Sequence, residues 1–465
     1  MISPTRRVKK GSIVLKMVVI GVLMLALMVP LFMVGNLVSE RQQRHDAVTQ
    51  EVASTWGNAQ TLGGPVLVVP YNVYTRDEKG RLITWTQLAY FLPEVLKADG
   101  RLVPEKRSRG IFDVVVYRAD LRLSGTFERP SFADWGTPAA DVLWDQAYLA
   151  IGIPDMRGIR RGVQLTWAGK VLDLSPGGGV EGLWASGLKV PITGLAQAPA
   201  GESWEFGFDL TLNGSQNLKL LPFGKQTTVT LRSDWQSPSF GGAFLPESRR
   251  VTKSGFEATW NVPYFGRSYP QQWRSSEAEK VAAQPVVDAS AFGVELFLPV
   301  DIYQKTERSV KYGILFVLLT FLTFFLYEIF SPFSLHPMQY LLVGSALCLF
   351  YVLLLSISEH VPFGPSYIIA STATIGLITG YAAAILRGRL RALGVGAALT
   401  GLYGYLYVLL QAEDYALLLG SIGLFLILAL VMFITRRLDW TTPRNGEDRE
   451  PPPSLSIQPE PGAGA

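Results

Sequence analysis

The sequence of 465 residues holds one cysteine, Cys348, and three histidines, His45, His336 and His360. A single cysteine excludes an internal disulfide framework, and three scattered histidines leave little for a histidine-built metal site. Charged residues make up only 17% of the chain, against about 25% in an ordinary soluble domain. The net charge of +4 is small and dispersed, so nothing marks a nucleic-acid-binding surface. There is no HExxH, GxSxG or CxxC. SPGGGVEG at 175–182 lacks the lysine and Ser/Thr that a phosphate loop needs. No catalytic motif, metal or cofactor is expected.

Apolar residues are what the chain has in quantity: 48% of it, with a mean hydropathy of +0.23. A bilayer core about 30 Å thick takes about 20 apolar residues of helix. The first such run, MVVIGVLMLALMVPLFMVGNLV at 17–38, follows Arg6, Arg7, Lys9, Lys10 and Lys16. It is longer than the apolar stretch of a cleaved signal peptide and contains Pro30, which predicts an uncleaved anchor. Five more spans are expected at 312–330, 340–358, 366–386, 392–410 and 416–434. Their loops are short, so 312–434 reads as a five-helix bundle.

Orientation follows the lysines and arginines. The basic segment 1–16, Arg387, Arg389 and Arg391, and Arg436 and Arg437 all fall on one side, whereas the loops 359–366 and 411–415 carry none. The positive-inside rule then places both termini in the cytoplasm and 39–311 outside it. Lys305, Arg308 and Lys311 run against this, but in a long translocated segment the rule loses force. The tail 435–465, dominated by proline, glycine and charge, is expected to be disordered.

Residues 39–311 contain no spanning run. In VYRADLRLSG, Tyr117, Ala119, Leu121 and Leu123 alternate with Arg118, Asp120, Arg122 and Ser124. In WEFGFDLTLN, Trp204, Phe206, Phe208, Leu210 and Leu212 form one face, and in VELFLPVDI, Val294, Leu296, Leu298, Val300 and Ile302 do the same. Alternation of this kind describes half-buried strands. PVLVVPYNVY, ITWTQLAYFLP and QTTVTLRS add three more, separated by turn-rich pieces. No helical patterns recur between them, so an antiparallel, sandwich-like sheet body is predicted. SERQQRHDAVTQEVASTW at 39–56 reads as a helical stalk that prolongs the first span.

The predicted class is therefore a membrane α+β protein. It has one N-terminal and five C-terminal transmembrane helices, with a large antiparallel β-rich periplasmic domain between the first and second. Ten of the eleven tryptophans lie in that domain. Exposed aromatics can stack on sugars, but their placement on apolar strand faces favours core packing.

LHPMQYLLVGSALCLFYVLLLSISEH (335–360), WGNAQTLGGPVLVVPY (56–71), SPSFGGAFLPESRRVTKSGFEATW (237–260) and TERSVKYGILFVLLTFLTFFLYE (306–328) together carry a resemblance over most of the chain. The sequence resembles the CreD family of bacterial inner-membrane proteins. The resemblance implies an inner-membrane location and a link to envelope integrity and stress responses. It brings no catalytic or ligand residue with it.

Six residues stand out as binding candidates. Glu328 is a carboxylate near the end of a span, costly there unless it anchors at the headgroups or serves an ion path. His336, in the joint FSLHPMQYLLVG (333–344), is placed to pair with Glu328 across a helix turn, with Pro337 opening the next helix and Ser334 or His336 near its cap. Glu359 and His360 end the third span, as a plain polar end or as a proton sensor. Tyr403 and Tyr407 share one face of the fifth span, as packing or as the lining of a polar cavity. Small residues one turn apart, Gly376 and Gly380, and Ala397 and Gly401, suggest close helix packing, within the bundle or at a dimer face. Cys348, in an apolar run, is expected to be inert. The expected partners are the lipid bilayer and, for the outer body, periplasmic envelope proteins or glycan. The alternative function is transport or lipid handling by the helices.

Overall fold

The computed structural model describes residues 11–199, 201–278, 283–296, 302–330, 335–386, 388–412 and 415–436. Arg6, Arg7, Lys9, Lys10, Ser334, Arg387, Arg437 and the tail beyond Arg436 lie outside the described residues, as do Leu298 and Val300. The chain divides into two compact units, Met1–Gly396 and Ala397–Ala465.

The first unit begins with helix α1, Gly11–Trp56, unbroken through Pro30. Ile20, Leu27, Leu31, Val34 and Val38 are buried along it. Their spacing of three, four and seven is that of one helix face. Leu25, Phe32 and Met33, off that face, are exposed, as apolar side chains are where lipid replaces water. From Ser39 the sequence turns polar, but the helix runs on to Trp56.

Two sheets follow, packed over one apolar core. The eight-stranded sheet runs in the order Ser248–Thr252, Gly255–Pro263, Gln226–Ser233, Val95–Arg109, Phe112–Glu128, Ser203–Ser215, Gln164–Trp167 and Lys170–Asp173. The second sheet centres on Gln60–Arg76, flanked by Asn217–Leu220, Tyr148–Gly152 and Leu82–Phe91. Where the sequence alternates, one face is buried: Trp204, Phe206, Phe208, Leu210 and Leu212 are all in the core. Where it is continuously apolar, as in Val66–Val69, both faces are covered.

Four tryptophans, Trp167, Trp204, Trp260 and Trp273, are buried. Trp135, Trp144, Trp184 and Trp235 pack against the same core. Trp85 is the exception, 59% exposed on the ribbon formed by Gln60–Arg76 and Leu82–Phe91.

The body is not purely antiparallel. Gln60 pairs with Leu218, and Gln226 with Val95, in parallel ladders. Each joins strands more than a hundred positions apart, and the intervening chain supplies the crossover a parallel pair requires. Period-two alternation is the same for either direction, so it does not reveal this. Ile302, read as the end of a strand face, instead opens a helix.

The helices after the body are α2 (Gln284–Asp288), α3 (Ile302–Lys311), α4 (Gly313–Phe330), α5 (Pro337–Ser358), α6 (Phe363–Ile385), α7 (Arg389–Gln411) and α8 (Ala416–Thr435). Among the described residues, five helices are long and apolar enough to cross a membrane, not six: α1, α5, α6, α7 and α8. At 1.5 Å per residue α4 spans only about 27 Å, short of the bilayer core. A sixth span is obtained only if α3 and α4, bent by 44° at their junction, count as one. Gly313 sits at the bend because a Cβ there would lie 2.9 Å from Leu31 and 3.3 Å from the Tyr351 ring.

His336 is the N-cap of α5, Pro337 its first residue, and Gln339 closes a capping box onto the His336 backbone. Packing of α5 on α1 depends on Gly344, where a Cβ would come within 2.1 Å of Leu27. In contrast, a Cβ on Gly376, Gly380 or Gly401 meets nothing within 4 Å, so these glycines are not close-packing positions. In the second unit, the Tyr405 hydroxyl donates to the Leu419 carbonyl, and its ring covers Gly423.

Candidate functional site

Two carboxylates sit at opposite ends of the apolar part of α1. At the first end Glu328, its side chain only 8% exposed, meets the Lys16 ammonium. Its other contacts are the Leu335 backbone N–H at 3.2 Å and the Tyr340 hydroxyl at 3.2 Å, both donating to it. His336 does not pair with it. The Nδ1 of His336 accepts instead from the Met338 N–H at 3.3 Å, so the ring caps its own helix. α5 is thus capped at its start, and the cation that neutralises Glu328 comes from the other end of the sequence.

At the second end Arg41 faces Glu359 at 3.6 Å. Lys16 and Arg41 are about 38 Å apart along α1 at 1.5 Å per residue. That is close to the roughly 40–45 Å of a bilayer with its headgroups. His360, next to Glu359, is exposed.

Just beyond Arg41 the β body meets the helices. The hairpin Val95–Glu128 turns at Gly110 and Ile111, and its tip residue Phe112 enters an apolar cluster with Val38, Tyr303 and Leu355. These four come from the body, α1, α3 and α5. The His45 ring lies edge-on to Phe112 at 5.6 Å and tilted to Tyr303 at 6.0 Å. Further along, Glu51 pairs with Arg109 at 2.6 Å, and the Arg107 guanidinium lies 3.8 Å above the Trp56 ring. The Trp56 indole N–H donates to the Tyr117 carbonyl at 3.2 Å.

Where α1 hands the chain to the first strand, Asp155 holds the joint. It accepts from the Asn58 backbone and side chain at 3.0 and 2.9 Å, and from the Arg157 guanidinium at 2.9 Å. The Arg157 hydrogen bond, with the Asn58 and Arg157 N–H groups, holds the Asp155 carboxyl below its ordinary range. Tyr117, fully buried beside this joint, has its hydroxyl pushed upward by burial alone.

A cleft of about 360 Å3 opens between α1 and the body at this junction. Its polar lining comes from His45 and Thr49 of α1, Asp113 beside the hairpin tip, Gln216, Asn217 and Glu295. Val114, Val115 and Leu296 form the apolar wall. Gln216 takes the left-handed conformation, with φ 62°. Its N–H donates to Val115 at 3.3 Å and its carbonyl accepts from Leu296 at 2.7 Å. Backbone strain of this kind in a non-glycine residue is costly and tends to mark sites where a side chain must be aimed.

Tyr403 and Tyr407 belong to the second unit. Tyr403 is buried within the helices, and the Tyr407 hydroxyl accepts from the Gln411 amide at 3.1 Å. Among the sequence candidates, Glu328 and Glu359 are held by partners distant in sequence. In the sequence Lys16 is one of the charges flanking the first span, and Arg41 is one polar residue of the stalk 39–56. Phe112, Asp113 and Gln216 carry no local signal, since a strand turn and a left-handed glutamine become a site only through tertiary contact.

The comparisons with known proteins agree with this architecture. The profile of the family described as Inner membrane protein CreD matches residues 12–441. The chain is 34% identical over 425 residues to Inner membrane protein CreD of Escherichia coli (strain K12), covering 90% of this chain and 91% of that protein. With a match that runs from the first apolar helix through the β body to the last helix, the chain belongs to the CreD family of inner membrane proteins.

Proposed function

We propose that this protein is a non-enzymatic component of the cell envelope. Its β body stands on the periplasmic side, binds or senses an envelope component, and passes its state to the membrane helices. The observation that carries this reading is the junction cluster of Val38, Phe112, Tyr303 and Leu355. One apolar contact joins the body to α1, α3 and α5, so a shift of the hairpin tip is felt by all three. Two chain connections and the Glu51–Arg109 pair hold the body to the helices beside it. Envelope integrity is the role that fits a body so placed.

Placement is tested with Lys79→Cys in a Cys348→Ala background. Lys79 is exposed at the turn of the long ribbon. A membrane-impermeant maleimide is expected to label it from the periplasmic face. Labelling solely in inverted inner-membrane vesicles overturns the reading. Coupling is tested by crosslinking Leu37→Cys to Val310→Cys with and without envelope extract, and an unchanged yield opposes the transfer of state.

A second reading, transport or lipid handling by the helices, draws on the buried Glu328 with Lys16 and Tyr340. Ionisable groups within a membrane commonly serve transport. Solute flux or lipid scrambling in reconstituted liposomes, lost in Glu328→Gln, supports that reading, and the absence of both activities removes it.

A further inference from the structure

The junction cleft has a chemistry of its own. Its lining combines two carboxylates, two carboxamides, a hydroxyl and an imidazole. Asp113 accepts from Ser108 at 2.6 Å, and Glu295 is offset by Lys219 at 3.2 Å. The side-chain amides of Gln216 and Asn217 carry no hydrogen bond to the described residues, although Asn217 is half-buried. The Thr49 hydroxyl donates to the His45 carbonyl at 2.9 Å and keeps its acceptor capacity; with two free amides and two carboxylates that can accept further, the concave site suits a ligand that both donates and accepts.

This excludes the simpler ligands. A phosphate only accepts, and Asp113 and Glu295 repel it. An ammonium only donates, which leaves the amide N–H groups of Gln216 and Asn217 without a partner. Hydroxyl groups do both, and several of them on one small ring match a mixed set of this kind.

The height of the cleft narrows the source. His45 and Thr49 stand about 6 and 12 Å along α1 beyond Arg41, at 1.5 Å per residue. Headgroups extend about 5–8 Å beyond the hydrocarbon on each side. The cleft thus begins where the headgroup layer ends.

We infer that the cleft is a binding site for a neutral sugar, presented at the outer surface of the inner membrane on a lipid carrier or free in the periplasm. The inference rests on the periplasmic placement proposed above and names the ligand class of that body. Thr49, Gln216 and Asn217 bond the ring hydroxyls, Asp113 and Glu295 accept from them, and His45 closes the side nearest the membrane. Occupancy bears directly on Phe112, which is the chain neighbour of Asp113 and touches the His45 ring.

The test uses the full chain in nanodiscs of phosphatidylethanolamine and phosphatidylglycerol, with and without a monoglucosyl diacylglycerol. Free maltose is added separately to the discs that lack glycolipid. The readout is hydrogen exchange at 45–49, 113–115 and 215–217. Protection by the glycolipid alone assigns a lipid-carried sugar, and protection by maltose as well assigns the sugar itself.

Thr49→Val and Asn217→Ala are each expected to weaken the protection midpoint about tenfold, with Thr49→Ser retaining it. Melting temperatures of the variants separate loss of binding from loss of fold. Protection with neither sugar source, or equal protection in discs without any sugar, overturns the inference. So does an unchanged midpoint in both variants. If Lys79→Cys still labels from outside in that case, only the ligand class falls and the proposed function stands. Labelling from the cytoplasmic side removes both.

Discussion

Arg41 of α1 and Glu359 at the end of α5 lie 3.6 Å apart, and at the other end of the same apolar stretch Lys16 meets Glu328. The two pairs fix the register of α1 against the helices that follow the body. Sliding α1 by one turn would break both. Because Glu328 is nearly buried and Lys16 is not, the two partners differ in what a substitution costs.

Glu328→Gln leaves Lys16 free to reach water at the interface, so the loss is smaller than for a fully buried pair. A double-mutant cycle with Lys16→Gln should give a coupling of about 1 kcal/mol in thermal or denaturant unfolding. Additive losses would show that the pair contributes nothing beyond its two separate residues.

Phe112→Ala removes the ring that joins body and helices. A loss of about 3 kcal/mol is expected for truncating a buried phenylalanine. Hydrogen exchange should rise at 45–56 and 302–311, while strands remote from the junction, such as Gly255–Pro263, keep their protection. A uniform rise across the body would mean that Phe112 supports the whole fold rather than the joint.

Two glycines in apolar helices should respond in opposite ways. Gly344→Val drives side-chain atoms into Leu27 and Phe321 and should destabilise by about 1–3 kcal/mol, as overpacking does. Gly376→Ala meets open space and should be neutral or slightly stabilising, because alanine favours helix. Equal effects on the melting temperature would contradict the packing described for α1 and α5.

Asp155→Asn tests the joint between α1 and the first strand. Its charged hydrogen bonds to Arg157 and Asn58 are lost, at a cost of about 1–3 kcal/mol near neutral pH. The sign of the pH dependence follows from the lowered carboxyl of Asp155. A depressed folded value stabilises above the unfolded value, about 3.9, and that contribution disappears as pH falls through the folded value. The gap between wild type and variant should therefore narrow below about pH 4. A gap that stays constant down to pH 2 would remove Asp155 as an ionised clasp.

Much of the architecture is legible in the residues. The strands Ser203–Ser215 and Gln226–Ser233 follow from alternation, and α5 through α8 follow from long apolar runs. The partner of Glu328 is not legible, since His336 is close in sequence and Lys16 is more than three hundred positions away. The His336 ring caps α5, and the Lys16 ammonium meets Glu328. The span count also escapes a reading by composition. α3 is polar and α4 apolar, and whether they form one span turns on the 44° bend between them, which hydropathy does not encode.

What the sequence determined alone is the division into a first apolar helix, a strand-rich body and a run of apolar helices. Solvent preference is a property of each residue, and its period along the chain needs no partner. What the tertiary structure decided is which strands run parallel, which cation answers each carboxylate, and where body and helices touch. Those depend on groups far apart in the chain sharing one small volume, and no local pattern encodes that proximity.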